Sequence, residues 1–551
     1  MGGMLLCSRA SPWEHVGLNG GGAMFHLVSS PHDPKVMIVA SDMSGMFRSV
    51  DGGRHWQLIH HSQVRGNPRC AVLFDPDQPG IVYAPSSAWS TRLMRSTDNG
   101  RQWSFWRNTP DNRPVTLLYR QNEYFYASTS RGLFRCSIKK AWQRIDGIRG
   151  EVRWLCGSGT RILAATGERL YRSLDNGKTF VPCPLPEHAA IRGIAANRHY
   201  QYLLLTCRLE RGRLTGGVFR SSDFGMQWVS LMGNGLDVST HRKSRWANGD
   251  IPQYRFILTS DAAPDRVYVY CSGTSYYPPN HSTVYRSDDA GKHWRPVFYS
   301  DPRFGKKYNV EDDRLTLELG QRYQYPPISL TMNARFSDVL CMATDMMLFI
   351  SFDGGRRWQV SQSGVPQKVG GHFAFESNGL GVTTTWSYEI DPFDPRRHYI
   401  CYTDVGLARS VDGGKRWIWE GVHLPWRNTC YQLAFDPEIP GRIWGAFSQT
   451  HDIPNYNIIG HRHRVIMRGG VGVSHDHGDT WRKLELPEAP CTGIVLDPRS
   501  SSRSRRLYAA LFEKGVYFSV DGGRHWSPCP TQPGNVLNRR VSRLYLHPSS
   551  G

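Results

Sequence analysis

Insertions between strand-like runs carry the side chains best suited to binding a sugar. Aromatic residues stand among polar neighbours around Trp246 and Asp250, around Tyr276 and Tyr277, and again in residues 300–325. A flat aromatic face can stack on a sugar ring while nearby polar groups hydrogen-bond its hydroxyls. Functional loops are expected on rigid scaffolds, so these insertions are candidate binding loops. The alternative is that the aromatic rings only pack their own loops.

A further insertion is rich in ionisable side chains. It contains His451, Asp452, His461 and His463. Imidazole and carboxylate groups of this kind can bind a metal ion or exchange protons near neutral pH. Two histidines two residues apart are weak evidence for a metal site, and ordinary surface histidines are the alternative. We therefore predict no metal and no cofactor.

The segment HLPWRNTC, residues 423–430, is an unusual connection between two strand-like runs. It offers an indole and a guanidinium, and a guanidinium suits the carboxylate of an acidic sugar. The residues predicted to bind substrate are Trp246, Tyr276, Tyr277, Trp386, Trp426, Arg427, His451 and Asp452.

The elements that position these residues follow from a motif, Ser-x-Asp-x-Gly-x-x-Trp or Phe, that occurs nine times. Its first copy is SVDGGRHW at residues 49–56, and its last is the same string at residues 519–526. Ser and Asp side chains can bond the N–H groups of a tight turn, and Gly permits a positive φ there. A strand-like run stands on each side of every copy. The motif therefore joins the last two strands of a small antiparallel sheet.

Two more strand-like runs precede each motif, which makes four strands per unit. A tenth unit, residues 114–145, keeps the strands and Trp142 but has lost the motif Asp and Gly. An eleventh unit is expected to begin with a strand at residues 541–548. Repeated four-stranded units are typical of propeller blades. We predict an all-β fold, a β-propeller of the Asp-box (BNR) repeat class.

A Gly-rich stretch between the seventh and eighth units is typical of a linker. We predict a lead at residues 1–24, a seven-bladed propeller at 25–363, a linker at 364–385 and a second, incomplete propeller at 386–551. A single ten-bladed ring is the alternative.

The segment WEHVGLNGGGAMFHLVSSPHDPKVMIVASDMSGMFRS, residues 13–49, resembles the opening of the xyloglucanase-type glycoside hydrolases of family 74. The resemblance implies two tandem seven-bladed propellers with a substrate cleft between them, and hydrolysis of a β-linked polysaccharide. It places one catalytic acid at Asp42. The counterpart of the second is Asp404, in YTDVGLARS of the eighth unit.

Asp42 and Asp404 hold equivalent positions, nine and eight residues before the motif Asp of their units. Two carboxylates across a cleft suit glycoside hydrolysis, because one protonates the leaving oxygen and the other activates water, at roughly 6.5–9.5 Å separation for inversion. We expect Asp42 to be the base and Asp404 the acid. Asp345 and Glu513 hold the same position in units seven and ten. The alternative is thus an acid that caps the hairpin.

Three other functions are alternatives to hydrolysis. A non-catalytic propeller would bind a glycan or a protein partner, as in sorting receptors and assembly factors. A polysaccharide lyase acting on an acidic glycan would suit a basic chain. A sialidase is disfavoured, since the sequence lacks an early Arg-Ile-Pro signature.

The chain is basic, with a formal net charge of +20 from 67 Lys and Arg against 47 Asp and Glu. A positive field favours anionic partners, here an anionic glycan, although the arginines are scattered rather than arranged in a stripe. We expect a monomer with a polysaccharide or oligosaccharide partner, and no nucleic-acid or membrane partner.

Two further expectations come from cysteine use and from the chain start. The 12 cysteines include no CxxC pair and are expected to be reduced, buried thiols. The first residues contain no apolar stretch of signal-peptide length. This predicts a cytoplasmic protein if the start is genuine and leaves secretion open otherwise.

Overall fold

The computed structural model describes residues 15–20, 22–43, 45–236, 238, 251–272, 283–298, 309–319, 327–361, 364, 366–451, 453, 467–530 and 539–547. These residues form ten β-sheets, nine with four strands and one with six. Each of the ten predicted units, including the degenerate one, corresponds to one sheet. The fold is all-β, and no helix within the described ranges is long and apolar enough to span a membrane.

The chain divides into two compact units, residues 22–362 and residues 1–21 with 363–551. The unit 22–362 contains seven antiparallel sheets, each made of four consecutive strands. The strands of the first four sheets are β1 (Met24–Ser29), β2 (Met37–Ser41), β3 (Met46–Ser49), β4 (Gln57–Leu58); β5 (Leu73–Phe74), β6 (Val82–Pro85), β7 (Arg92–Ser96), β8 (Ser104–Asn108); β9 (Leu117–Gln121), β10 (Tyr124–Thr129), β11 (Gly132–Ser137), β12 (Gln143–Arg144); and β13 (Trp154–Ser158), β14 (Arg161–Ala165), β15 (Leu170–Ser173), β16 (Val181–Cys183).

The strands of the next three sheets are β17 (Ile191–Ala196), β18 (Gln201–Glu210), β19 (Arg213–Ser221), β20 (Val229–Ser230); β21 (Gln253–Ser260), β22 (Ala263–Ser272), β23 (Thr283–Ser287), β24 (Arg295–Pro296); and β25 (Ser329–Met332), β26 (Leu340–Ala343), β27 (Leu348–Ser351), β28 (Gln359–Val360). A 3₁₀ turn at Pro110–Asn112 and the helix α1 (Arg314–Leu319) lie between sheets.

Hydrogen bonds join the first sheet of this unit to its seventh. The N–H of Met24 donates to the carbonyl of Thr344 at 3.2 Å. The hydroxyl of Thr331 donates to the carbonyl of Leu27 at 2.7 Å, and the indole of Trp56 donates to Ser361 at 2.9 Å. The beginning of the unit is thus held against its end.

The unit that includes residues 363–551 contains three sheets. Its strands are β29 (Gln367–Val369), β30 (His372–Glu376), β31 (Thr385–Ile390), β32 (His398–Tyr402), β33 (Leu407–Ser410), β34 (Arg416–Trp419); β35 (Thr429–Phe435), β36 (Ile443–Ser448), β37 (Gly469–Ser474), β38 (Arg482–Lys483); and β39 (Cys491–Leu496), β40 (Leu507–Leu511), β41 (Gly515–Ser519), β42 (Ser527–Pro528). The described residues 539–547 contain no strand where an eleventh unit was expected to begin. The hydroxyl of Thr492 donates to the carbonyl of Val541 at 2.7 Å instead.

Part of the stretch predicted as a linker is a β-hairpin. Strands β29 and β30 pair with each other, and β30 pairs antiparallel with β34, which gives the six-stranded sheet. The chain start also belongs to this unit, because the N–H of Gly20 donates to the carbonyl of Leu380 at 3.0 Å. The pairing of β30 with β34 and the hydrogen bond from Gly20 to Leu380 join residues that are far apart in sequence. Composition alone does not reveal such contacts, and it indicated a linker and a lead instead.

All nine motif copies form the same hydrogen-bonded turn. In each, the Ser hydroxyl donates to the Asp carboxylate at 2.7–2.9 Å. The same hydroxyl accepts from the N–H of the motif Gly at 2.8–2.9 Å. At Asp175, burial raises the pKa but hydrogen bonds from Thr179, Ser173 and Lys178 outweigh it, and the pKa falls to about 2.

The third sheet, which lacks the motif, is tied by an arginine from the second. The guanidinium of Arg107 in β8 donates to the carbonyls of Ile138 at 2.6 Å and Lys140 at 3.1 Å, and to the sulfur of Cys136 at 3.0 Å. The indole of Trp142 donates back to the second sheet at 3.0 Å. This hairpin is therefore held through its carbonyls, whereas the motif turns are held through their N–H groups.

Apolar residues from neighbouring sheets make up the core. In one cluster Tyr126 of β10 packs with Ile162 and Tyr171 of the fourth sheet, and all three are at most 1% exposed. Of the eleven described cysteines, nine are buried. No group of three His, Cys, Asp or Glu side chains with metal-binding geometry occurs in the described part of the chain.

Candidate functional site

Asp42 begins the turn between β2 and β3 and is hydrogen-bonded to Ala23, the residue that precedes β1. Its N–H donates to the carbonyl of Ala23 at 3.0 Å, and its carboxylate accepts from the N–H of Ala23 at 3.1 Å. The side chain is exposed. The carboxylate is therefore held in place by backbone bonds and still presented at the surface of the unit 22–362.

The run of residues 65–70 packs directly on the Asp42 turn. A Cβ at Gly66 would lie 2.3 Å from the carbonyl oxygen of Gly45 and 2.8 Å from that of Ser41, so only glycine permits this approach. The imidazole of His26 lies 3.1 Å from the carbonyl of Pro68. Burial lowers the pKa of His26. The contact between His26 and Pro68 thus holds this run against the start of β1.

The same run supports an aromatic residue that sequence reasoning missed. Trp89, between β6 and β7, is 70% exposed. The guanidinium of Arg69 stacks on its ring at 3.6 Å from the centroid. Since three residues span at most about 10 Å, Arg69 lies close to the position where Gly66 meets the Asp42 turn. Trp89 lies in a short loop without an insertion, so no pattern in the sequence marks it as a candidate.

Asp404 begins the equivalent turn, between β32 and β33 of the other unit. Its backbone is left-handed, with a φ of 63°, as it is at Glu513 in the tenth sheet with 64°. The amide of Asn428 donates to its Oδ1 at 3.2 Å, and Nδ1 of His451 lies 2.7 Å from the same oxygen. The Asp404 side chain is 27% exposed and that of His451 56%.

These partners come from the ninth sheet rather than from the Asp404 turn itself. Asn428 immediately precedes β35, and His451 follows β36. The hydroxyl of Thr429 donates to Oδ1 of Asn428 at 2.8 Å, which orients the amide so that its NH₂ faces Asp404. Arg427 is exposed beside them, and its N–H donates to Oε1 of Gln449 at 3.1 Å. The structure therefore brings together three of the predicted residues, Asp404, Arg427 and His451.

Trp386 lies near this group and is half-buried. It occupies a bulge in β31, its indole donates to the hydroxyl of Thr403 at 2.7 Å, and its ring lies 4.9 Å from that of Tyr431. Because Thr403 precedes Asp404, Trp386 supports the backbone of the Asp404 turn. Its predicted role in substrate binding stays a prediction.

Trp426 is placed differently from the expectation for a substrate-stacking residue. It is only 5% exposed and belongs to the core cluster of sheets eight and nine. A Cβ at Gly470 would lie 2.5 Å from its ring, so the glycine makes room for the buried indole. The buried indole packs in the core, and its predicted role in substrate contact stays a prediction.

Four of the predicted substrate-binding residues lie outside the described residues: Trp246, Tyr276, Tyr277 and Asp452. Asp250, the aromatic residues of 300–325, His461 and His463 lie outside them as well. Their predicted roles stay predictions.

The sheets and their order define a β-propeller protein. No family model matches the chain. The xyloglucanase Xgh74A of Acetivibrio thermocellus is 29% identical over 187 residues, which cover 27% of this chain and 20% of that protein. The chain thus spans about a fifth of the length of this curated relative.

Solved structures share the fold over most of the chain. An ancestral enzyme of glycoside hydrolase family 74 gives a TM-score of 0.67 at 16% identity, covering 94% of this chain and 69% of that one. PorZ, a surface component of the type-IX secretion system of Porphyromonas gingivalis, gives 0.52 at 10% identity, covering 93% and 59%. The chain therefore resembles the family 74 xyloglucanases in sequence and in fold.

Proposed function

We propose that this protein is a glycoside hydrolase that cleaves a β-linked polysaccharide, with Asp42 as base and Asp404 as acid. One observation carries the proposal: the first predicted repeat in each unit presents an acid at the same point, after the second of its four strands. Asp42 follows β2 and Asp404 follows β32. Each carboxylate is held by bonds from a neighbouring segment and keeps exposed surface, as a group that must meet a substrate requires.

The surroundings of the two carboxylates suit the two roles. The N–H of Ala23, donating to Asp42, stabilises an ionised carboxylate, which is the form a base needs. For Asp404, both partners in the described residues contact Oδ1. Oδ2 is therefore the oxygen we propose to carry the proton toward the leaving group. His451 and Asn428 act as positioning residues, because their contacts with Oδ1 hold the Asp404 carboxylate in one orientation.

The substrate class follows from the aromatic and basic groups beside the carboxylates. Trp89 is the residue proposed to stack on a sugar ring, because its indole is exposed and the guanidinium of Arg69 stacks against it. We propose a neutral β-glucan such as xyloglucan as the substrate. This rests on the similarity to the A. thermocellus enzyme and its printed name. Arg427 would additionally accept an acidic sugar.

The test is a panel of neutral and acidic polysaccharides with detection of new reducing ends. The wild-type protein is expected to cleave a neutral β-glucan, and Asp42→Asn and Asp404→Asn are each expected to lose at least about a hundredfold in rate. Asp345→Asn is the matched control, because Asp345 holds the same hairpin position in the seventh sheet. Equal activity of all three variants would refute the assignment, and products that contain a new double bond would indicate a lyase.

The second candidate function is a non-catalytic binding propeller. The bonds of Asp42 and Asp404 would serve equally well to fix two turns, and PorZ, which shares the fold, is described as a secretion-system component. In that case Asp42→Asn lowers the melting temperature and no polysaccharide of the panel is cleaved. Retained activity together with a large loss of stability would make both aspartates turn-fixing residues.

A further inference from the structure

Two buried cysteines meet where the eighth and ninth sheets pack together. Cys401 lies in β32 and Cys430 in β35, and the two sulfur atoms are 3.1 Å apart. Both side chains are 0% exposed. They share a core cluster with Leu407 and Phe447, which packs them closely on all sides.

The pair lies beside the Asp404 group. Cys401 precedes Asp404 by three residues, and Cys430 follows Asn428 by two. The bond from Asn428 to Asp404 therefore crosses the same sheet boundary as the sulfur contact. An isolated parallel bridge between Gly406 and Thr429 crosses it too. Any covalent link at the sulfur pair would fix the spacing of the groups that orient the Asp404 carboxylate.

We propose that Cys401 and Cys430 form a disulfide when the protein folds in an oxidising medium. A disulfide has its sulfurs about 2.0 Å apart, so closure requires an approach of about 1 Å from the contact seen here. The oxidant is a small-molecule disulfide such as oxidised glutathione. The two thiols are oxidised to one S–S bond, the S–S bond of the glutathione breaks, and its two sulfurs take up the two electrons and the two protons as thiols.

The bond forms during folding and not afterwards. Exchange proceeds through a thiolate that attacks the oxidant. Burial raises the pKa of Cys430 well above its usual value, and the neighbouring Cys401 raises it further. With both sulfurs inaccessible in the folded state, the reduced pair would persist in a reducing compartment and the oxidised pair would resist reductants. Whether Cys401 and Cys430 are thiols or a disulfide in the folded protein thus depends on the redox conditions under which the chain folded.

The test is to refold the full chain with oxidised and reduced glutathione, denature it, and count the thiols that an alkylating agent modifies. Two of the 12 cysteines are expected to be protected, and peptide mapping without reductant should join Cys401 to Cys430. The closed loop should raise the melting temperature of the oxidised protein by roughly 5 °C over the reduced one. Cys401→Ser should abolish the protection, whereas Cys156→Ser, which changes a cysteine of another sheet, should leave it unchanged.

Three outcomes would overturn the proposal. Full alkylation of the wild-type protein after oxidative refolding is the first. The second is a disulfide between Cys430 and Cys491, whose thiol also raises the pKa of Cys430. Protection that survives Cys401→Ser is the third. Because the readout is mass and not activity, it stands apart from the test of hydrolysis.

Discussion

The arginine that holds the third sheet gives the most specific prediction of stability. Arg107→Ala removes all the bonds that this guanidinium makes to the hairpin of residues 132–145, of which the shortest reaches Ile138 at 2.6 Å. It also removes the stacking of the guanidinium over Trp106 at 4.2 Å. The motif Asp and Gly are missing from this hairpin, so the turn cannot be held as in the other nine sheets.

The magnitude follows from the number of bonds and the exposure of the turn. A hydrogen bond from a charged group contributes about 1.5–3 kcal/mol. The turn around Ile138 is exposed, so water takes over part of the lost bonding. We therefore expect a loss of about 2–3 kcal/mol in the free energy of unfolding. For a cooperative unit of about 340 residues the unfolding entropy is about 0.7 kcal/mol per kelvin, which converts this to roughly 3–4 °C.

The assay is differential scanning calorimetry, with urea unfolding as a second measure. Arg92→Ala is the matched control, because Arg92 lies over Phe105 at 4.9 Å in the same sheet and is exposed. We expect it to change the free energy by at most about 0.5 kcal/mol. Arg107→Lys keeps the charge without the planar fork and should recover only part of the loss. If Arg107→Ala unfolds at the same temperature as Arg92→Ala, the guanidinium does not replace the missing motif.

Asp436→Asn removes the bidentate partner of Arg505, at 2.7 and 3.0 Å with both side chains at most 1% exposed, and leaves Arg505 the more exposed Glu438 at 3.1 Å. It should cost about 3 kcal/mol in urea unfolding, and a shift below about 1 kcal/mol would contradict this. The pKa of Asp175 is lowered to about 2 from 3.8, so its stabilising effect is present above 3.8 and is lost as the pH falls toward 2. Urea midpoints should decline over this interval, and less so in Asp175→Asn than in the wild-type protein. Trp89→Ala should weaken polysaccharide binding about three- to tenfold in affinity electrophoresis without changing the melting temperature. Phe105→Ala, the control at another exposed aromatic ring, should bind as the wild-type protein does.

The sequence was sufficient for the nine four-stranded sheets, because their strands pair in the order in which they follow along the chain. The motif fixes the turn between the third and fourth strands, so its nine copies located nine sheets, and the strand pattern around Trp142 located the tenth. What the sequence could not supply was Arg107. It comes from the neighbouring sheet, and no local pattern marks an arginine as the partner of a turn 30 residues later.

The two candidate acids rest on different kinds of sequence information. Asp42 is implied by the resemblance to the family 74 glycoside hydrolases, and Asp404 is its counterpart at the equivalent position of the eighth unit. The burial of Trp426 could not be foreseen, since it depends on the absence of a side chain at Gly470 in another strand. Trp89 was overlooked for the opposite reason: exposure is a property of the packed loop, and a single tryptophan in a short turn has no periodicity.

The hairpin of β29 and β30 has a consequence for how molecules of this protein meet in concentrated solution. A propeller sheet ends in an outermost strand whose backbone groups can recruit a strand from a second chain. In the six-stranded sheet β30 pairs with β34, so β29 becomes the outermost strand on this side. Strand β29 has three residues, and its Lys368 is exposed. A short outermost strand with an exposed lysine is a poor template for pairing with a strand of a second chain. We therefore expect this edge to recruit a second chain less readily than a longer, uncharged strand would.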